Sequence, residues 1–187
     1  MGGLRHETDR LVLRDWQGEA DWQRFFAGTN TQNVMRWLGG ILDEEGRAMQ
    51  QARVAKCAAA NGHCFWLVER KSDGEVLGFC GLKRADAPGS SVTGRFEIGW
   101  RFREDSWGQG YAKEAAIAAL DLAFDRFGAD EVVALTVDGN APSWGLMLRL
   151  GMIRREELDY VDPRYGEDLN PTIVYSIDRV AWAGPRD

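Results

Sequence analysis

Apolar and polar residues alternate most strictly from Arg95 to Arg103 (RFEIGWRFR), where Phe96, Ile98, Trp100 and Phe102 are interleaved with Arg95, Glu97, Gly99, Arg101 and Arg103. A period of two sends successive side chains to opposite faces of a strand, so one face goes to a core and the other stays polar. The pattern changes in YAKEAAIAALDLAFDRFG. Ala112, Ala115, Ala116, Ala119, Leu120, Ala123, Phe124 and Phe127 recur at intervals of three and four, which predicts a helix stopped at Gly128. Strand and helix then repeat as VVALTV (Val132–Val137), the turn DGN, and SWGLMLRL ending at Gly151. Upstream, RLVLRDW (Arg10–Trp16) reads as a strand, and EADWQRFFAG as a helix with Trp22, Phe25 and Phe26 on one face. Helical stretches around Thr31–Leu38 and Asp43–Ala60 follow, the second stopped by Asn61-Gly62. FWLVER, the turn SDGE and VLGFCGLK form a predicted hairpin, and Asp86–Gly94 a loop. Strands near Met152–Val161 and Thr172–Ile177 close a chain without internal repeats, so residues 1–187 predict one mixed α and β domain.

Composition narrows the function classes. With 23 basic against 29 acidic side chains the net charge is −6, which argues against a dedicated nucleic-acid or anionic-membrane binder. An anionic ligand must then be held by local chemistry. The start MGGLRHETDR lacks the apolar core of a signal peptide, and His6 stands where a myristoylation signal requires Ser or Thr. No run approaches the roughly 18 apolar residues that span a bilayer. Cys57, Cys64 and Cys80 form no C-x-x-C pair, which suits reduced thiols in a cytoplasm. With His6 and His63 the only histidines, no metal site is expected. Eight scattered tryptophans predict core and cleft walls.

The segment Trp107-Gly108-Gln109-Gly110-Tyr111-Ala112 lies between the strongest strand and the strongest helix. The first N–H groups of a helix lack internal partners and face the positive end of its dipole, so a phosphate can bind there without basic side chains. No P-loop string G-x-x-x-x-G-K-[ST] exists, and Lys113 occupies the third glycine position of a dinucleotide fingerprint. The combination of EIGWRF, WGQGYAKEA, an Asn140-x-x-Ser143 helix and a closing LGM resembles the GCN5-related N-acetyltransferase (GNAT) superfamily, with the greatest likeness to its ribosomal-protein-alanine acetyltransferase (RimJ/RimL) branch. The resemblance runs from ETDRLVLRDW to TIVYSI.

It implies an α+β, three-layer α/β/α fold whose mixed, twisted sheet is splayed between two central parallel strands, Arg95–Arg103 and Val132–Val137, with helices on both faces. It also implies acetyl-coenzyme A as cosubstrate, with its pyrophosphate on the backbone of Gly108, Gln109, Gly110, Tyr111 and Ala112. Trp107 takes the place of the family's Arg or Gln. Backbone groups around Gly99, Trp100 and Arg101, together with Asn140 and Ser143, are implied pantetheine contacts, and Gly99 is a candidate bulge. The implied reaction is direct acetyl transfer to a primary amine, on a protein amino terminus or a small molecule. Glu97 is the base candidate: roughly 20 Å of strand at ~3.3 Å per residue separates it from Arg103, a span an extended pantetheine arm covers. The alternative is a solvated glutamate paired with Arg101 or Arg95. Met147 stands where many superfamily members carry a tyrosine acid, and Ser143, which matches the serine of this branch, is the implied proton donor in its place, unless it serves only the helix terminus. Asn140 is expected to cap that helix. Glu156, Glu157, Asp159 and Asp162 read as a solvated charge run, Tyr160 and Tyr165 as cleft walls, Trp37 as a core residue or a wall of the acceptor side, and the cysteines as inert. A coenzyme A sensor without turnover stays open as the alternative, and so does assembly, a homodimer included.

Overall fold

The computed structural model describes residues 3–184. Its eight-stranded sheet has the order β1-β2-β3-β4-β5-β6-β8-β7. The strands are β1 (Arg5–Glu7), β2 (Leu11–Arg14), β3 (Phe65–Arg70), β4 (Val76–Arg84), β5 (Phe96–Phe102), β6 (Glu131–Val137), β7 (Ile153–Arg154) and β8 (Thr172–Asp178). All neighbours run antiparallel except β5 and β6. The parallel pair arises because α4 (Tyr111–Asp121) and a π-helical turn (Leu122–Arg126) carry the chain across between them. No helix among the described residues is long and apolar enough to cross a membrane.

Both faces of the sheet are covered. On one, Ala115, Ala119, Leu120 and Phe124 of the crossover, with Leu146 and Met147 of α5 (Ala141–Arg149), pack on Leu13, Trp66, Cys80, Ile98 and Ile173. On the other, Trp22, Phe25 and Phe26 of α1 (Glu19–Thr29) and Val54 of α3 (Glu44–Asn61) pack on Leu67, Val76 and Phe79. α2 (Gln32–Met35) joins those two helices, and α6 (Arg179–Trp182) seats Trp182 in the first core. Alternation along β3 decides the split, because Trp66 and Val68 enter one core and Leu67 the other. The helix ends follow their residues: the Asp43 side chain accepts from Gly46 N at the start of α3, and Gly62 ends it in the left-handed region at φ 72°.

Three expectations are corrected. The segment near Met152–Val161 is not one strand. Only Ile153–Arg154 pairs with β8, after which the chain makes a 3-10 turn (Glu156–Leu158) and touches β8 again through Tyr160 and Thr172. The acidic run is also not simply solvated: Asp159 binds Arg154, and Asp162 is buried against Arg164. Most consequentially, the polar face of β5 is not solvent-exposed at Glu97 and Arg101. Arg101 is buried beneath α1 and α2, its guanidinium 4.9 and 5.1 Å from the Phe25 and Phe79 rings and Nη1 3.0 Å from Met35 Sδ.

A second buried arginine ties β2 to α1 and β3. Arg14 donates through Nη1 and Nη2 to Asp21 at 2.6 and 2.8 Å, and through Nε and Nη2 to Glu69 at 2.9 and 2.7 Å. Nη1 also reaches Asp15 O at 3.0 Å. Hydrogen bonds from Arg14 hold both carboxylates below their usual range.

Candidate active site

β5 and β6 pair only over Phe96↔Val132, Glu97↔Val133 and Ile98↔Ala134. Beyond that point Gly99–Phe102 and Leu135–Val137 both stay extended without pairing to each other, so the sheet opens toward the carboxyl ends of the two strands. Backbone groups that a continued ladder would consume are left facing the opening. Gly99 lies opposite Gly81 on β4 with no register shift between those strands, so the expected bulge is absent. An added Cβ at Gly99 would lie 2.8 Å from Phe65 Cε1, so that ring would have to shift.

The glycine loop sits at the end of β5. Gly108 and Gly110 take φ 72° and 81°, and Gly110 is the N-cap of α4 without any side-chain cap. Among the described residues, no protein acceptor takes the N–H groups of Gly108, Gln109, Gly110, Tyr111 or Ala112. The loop is fastened from outside: Arg10 donates to Gln109 O (2.9 Å) and Glu114 (2.7 Å), and its guanidinium lies 4.5 Å from the Tyr111 ring centroid. Trp107 turns its indole N–H to Phe102 O and leaves its ring half-exposed, while Gln109 reaches back to Asp105 O. Those two side chains are occupied in holding the loop, and its backbone faces outward. A free row of N–H groups at a helix terminus fits a pyrophosphate.

The opposite wall is the β6–α5 turn. Asn140 stands at the N-cap position, yet its side chain does not cap α5. Its Nδ2 donates to Thr136 Oγ1 at 3.1 Å, and its backbone oxygen accepts from Ser143 N and Trp144 N. Ser143 is half-buried in the first turn of α5, and its hydroxyl has no hydrogen-bond partner among the described residues. Met147 is fully buried in the core.

Glu97 lies at the root of the opening, on the face away from α4 and α5. It pairs with neither Arg95 nor Arg101. Arg95 binds Glu131, and the Glu97 partner is Lys83 on β4, Nζ to Oε2 3.2 Å, with the two side chains 15% and 13% exposed. Oε2 is buried without a well-directed hydrogen bond, so one of its lone pairs is free. Burial raises the carboxyl above its usual range, against the opposing pull of Lys83. Tyr160 is buried within electrostatic reach and is itself raised by burial.

The early helices and the late loop meet over this face. Trp37, after α2, lies against Gly139 so closely that a Cβ there would stand 2.6 Å from its ring, and Tyr165 meets Gly39 in the same way at 3.0 Å. Trp37 is therefore half-buried at the β6–α5 turn and not in the core. A cavity of about 340 Å³ beside α2, lined by Gln32, Asn33, Arg36, Gly40 and Ile41, contains none of the candidate residues. Of the thiols, Cys64 and Cys80 are buried and raised, as inert cysteines are. Cys57 is half-buried, and its hydrogen bond with Cys64 lowers it. Lys83 and Arg10 escaped sequence reasoning, because the first becomes visible only through the β4–β5 register and the second only through docking of β2 beside α4. No group of three or more metal-ligating side chains converges among the described residues.

The acetyltransferase (GNAT) domain family profile matches residues 10–153. The uncharacterized N-acetyltransferase YnaD of Bacillus subtilis is 31% identical over 94% of this chain and 97% of its own length. The FsC-acetyl coenzyme A-N(2)-transacetylase of Aspergillus fumigatus is 34% identical over 59% of this chain and 49% of its own. The crystal structure of an acetyltransferase from Agrobacterium tumefaciens superposes with a TM-score of 0.80 at 23% identity, covering 96% of both chains.

Proposed function

Because the chain belongs to the GNAT acetyltransferase family, we propose that it moves an acetyl group from acetyl-coenzyme A directly to a primary amine in a ternary complex. The observation that carries this reading is the opening between β5 and β6, with free backbone donors along one edge and the buried carboxylate of Glu97 at its root. The loop at 108–112 holds the pyrophosphate, and the edge of β5 at 99–102 takes the pantetheine arm. The coenzyme enters from the α4–α5 face and the amine from the α1–α3 face, past Trp37 and Tyr165. WGQGYAKEA supports placement near the RimJ/RimL branch, and three free thiols support a reducing compartment such as the cytoplasm.

The coenzyme supplies an activated thioester. Glu97 takes a proton from the amine as its nitrogen forms a bond to the carbonyl carbon. Backbone N–H groups of β5 face the oxygen on which negative charge develops. The carbon–sulfur bond breaks, and the Ser143 hydroxyl, with no other partner among the described residues, gives its proton to the departing thiolate and regains one from solvent. An α-amino group, with a reference pKa near 7.7–8.0, asks less of this base than a lysine near 10.4.

Acetyl-coenzyme A at about 100 times its Kd is expected to stabilise the fold by about 2.7 kcal/mol. At roughly 2–4 °C per kcal/mol for a chain of this size, the thermal midpoint should rise by about 5–10 °C. Thiol release across a panel of amines and peptides then tests turnover. No thermal shift at saturating coenzyme overturns the cradle, and a shift without thiol release from any amine establishes the sensor instead.

A further inference from the structure

We propose that Lys83 is a positioning residue of this site: held between Glu97 and Asp86, its ammonium keeps the buried Glu97 carboxylate ionised and so sets the lower pH limit of turnover. The inference rests on the assignment of Glu97 as base made above.

Lys83 and Glu97 are direct partners in the antiparallel β4–β5 register, so the two side chains share one face by construction of the sheet. The same ammonium donates to Asp86, in the loop after β4. Glu97 Oε2 therefore faces a cation fixed at two points, yet takes no well-directed hydrogen bond from it. That arrangement favours the charged form electrostatically and still leaves a lone pair for an incoming proton. A carboxyl buried without such a cation takes up a proton, and an opposite charge within about 4–6 Å lowers its pKa by ~1–3 units.

The other charged groups around Glu97 are few. Asp86 opposes ionisation, Arg53 on α3 favours it from an exposed position 4.0 Å from Asp86, and Tyr160, in the segment before β8, lies within electrostatic reach of the carboxylate. Cys57 of α3 and Cys64 before β3 lie within the field of Lys83. Lys83 is the cation in contact. Burial keeps Glu97 above the usual range even with Lys83 present, so loss of the ammonium must move it further in the same direction.

The test compares Lys83→Met and Lys83→Arg with the parent protein. In Lys83→Met the acid limb of kcat/KM should move up by one unit or more, a tenfold or greater loss at each pH below the limb, with rates recovering on the alkaline plateau. Lys83→Arg should restore the limb. Carbon-13 NMR of the glutamate carboxyls, with Glu97 assigned by its absence in Glu97→Gln, should show the same displacement without turnover. An unmoved limb with rates lowered equally at every pH, or an unmoved Glu97 resonance titration, overturns the proposal. Full activity of Glu97→Gln would instead remove the base assignment and with it the turnover half of the proposal, while the NMR titration still reads the Lys83–Glu97 coupling by itself.

Discussion

Glu97→Gln is expected to lower kcat toward a primary amine by about a hundredfold or more, the usual scale of lost general-base catalysis, with acetyl-coenzyme A affinity unchanged. The change preserves shape and removes only the proton-accepting oxygen. Because Lys83 also contacts Asp86, the variant leaves no unpaired ammonium in the sheet, and the fold should be retained. The proposed coenzyme cradle lies at the far end of β5 and is held by Arg10, Trp107 and Gln109, none of which pairs with Glu97. The measurement is thiol release under saturating coenzyme, paired with the thermal shift it induces. The pH profile adds a sign. Burial raises the Glu97 carboxyl, so the acid limb of kcat/KM should lie above the ordinary carboxylate range and vanish in the glutamine variant. Unchanged turnover would hand the proton to water or to another group.

Arg14→Ala is expected to have the largest effect on stability, about 3–5 kcal/mol, the cost of removing one partner from a buried ion pair. Arg14 and Asp21 are 6% and 7% exposed, and every donor group of the guanidinium is engaged, with Asp21, Glu69 and Asp15 O as acceptors. Truncation leaves the buried Asp21 carboxylate with only Gln17 N as a donor, and half-buried Glu69 with only the exposed Arg24. At roughly 2–4 °C per kcal/mol, the thermal midpoint should fall by about 10 °C. Adding Asp21→Asn to that background should cost little more, because the partner it would abandon is already gone. The pH sign follows from the direction of the shifts. Asp21 and Glu69 lie below their usual values, so their contribution is whole above the ordinary carboxylate range and lost as pH falls through the depressed values. The gap between parent and variant should close in acid. A difference under about 1 kcal/mol at neutral pH would mean that the network is no more than a surface pair in effect.

Local periodicity carried most of the fold. The 3.6 period of residues 111–127 and the alternation of 95–103 marked α4 and β5 because each face packs on a continuous core. The hairpin 65–84 was legible from its turn, and α3 from its Asn61-Gly62 stop. Failure came where local pattern and burial part company. Residues 152–161 look like a strand, but only two of them find the edge of β8. Arg101, on the polar face of β5, looks solvated, and α1 and α2 cover it.

For the candidate site, the free backbone of 108–112 was readable because it is contiguous: two glycines at positive φ open a helix whose first N–H groups are free among the described residues. The environment of Glu97 was not readable. Its partner stands fourteen positions away and is fixed only by the β4–β5 register, a slip of one residue in which would turn Lys83 to the other face. Trp37 on Gly139 and Arg14 between Asp21 and Glu69 depend likewise on how helices dock over a finished sheet. The sequence by itself determined most of the elements, the order of those elements and the helix terminus with free N–H groups, since these follow from short-range backbone preference. Which charges are buried, which partner each one meets and where the sheet opens were decided by the tertiary structure, because burial and register are properties of surfaces that exist only once the layers have packed.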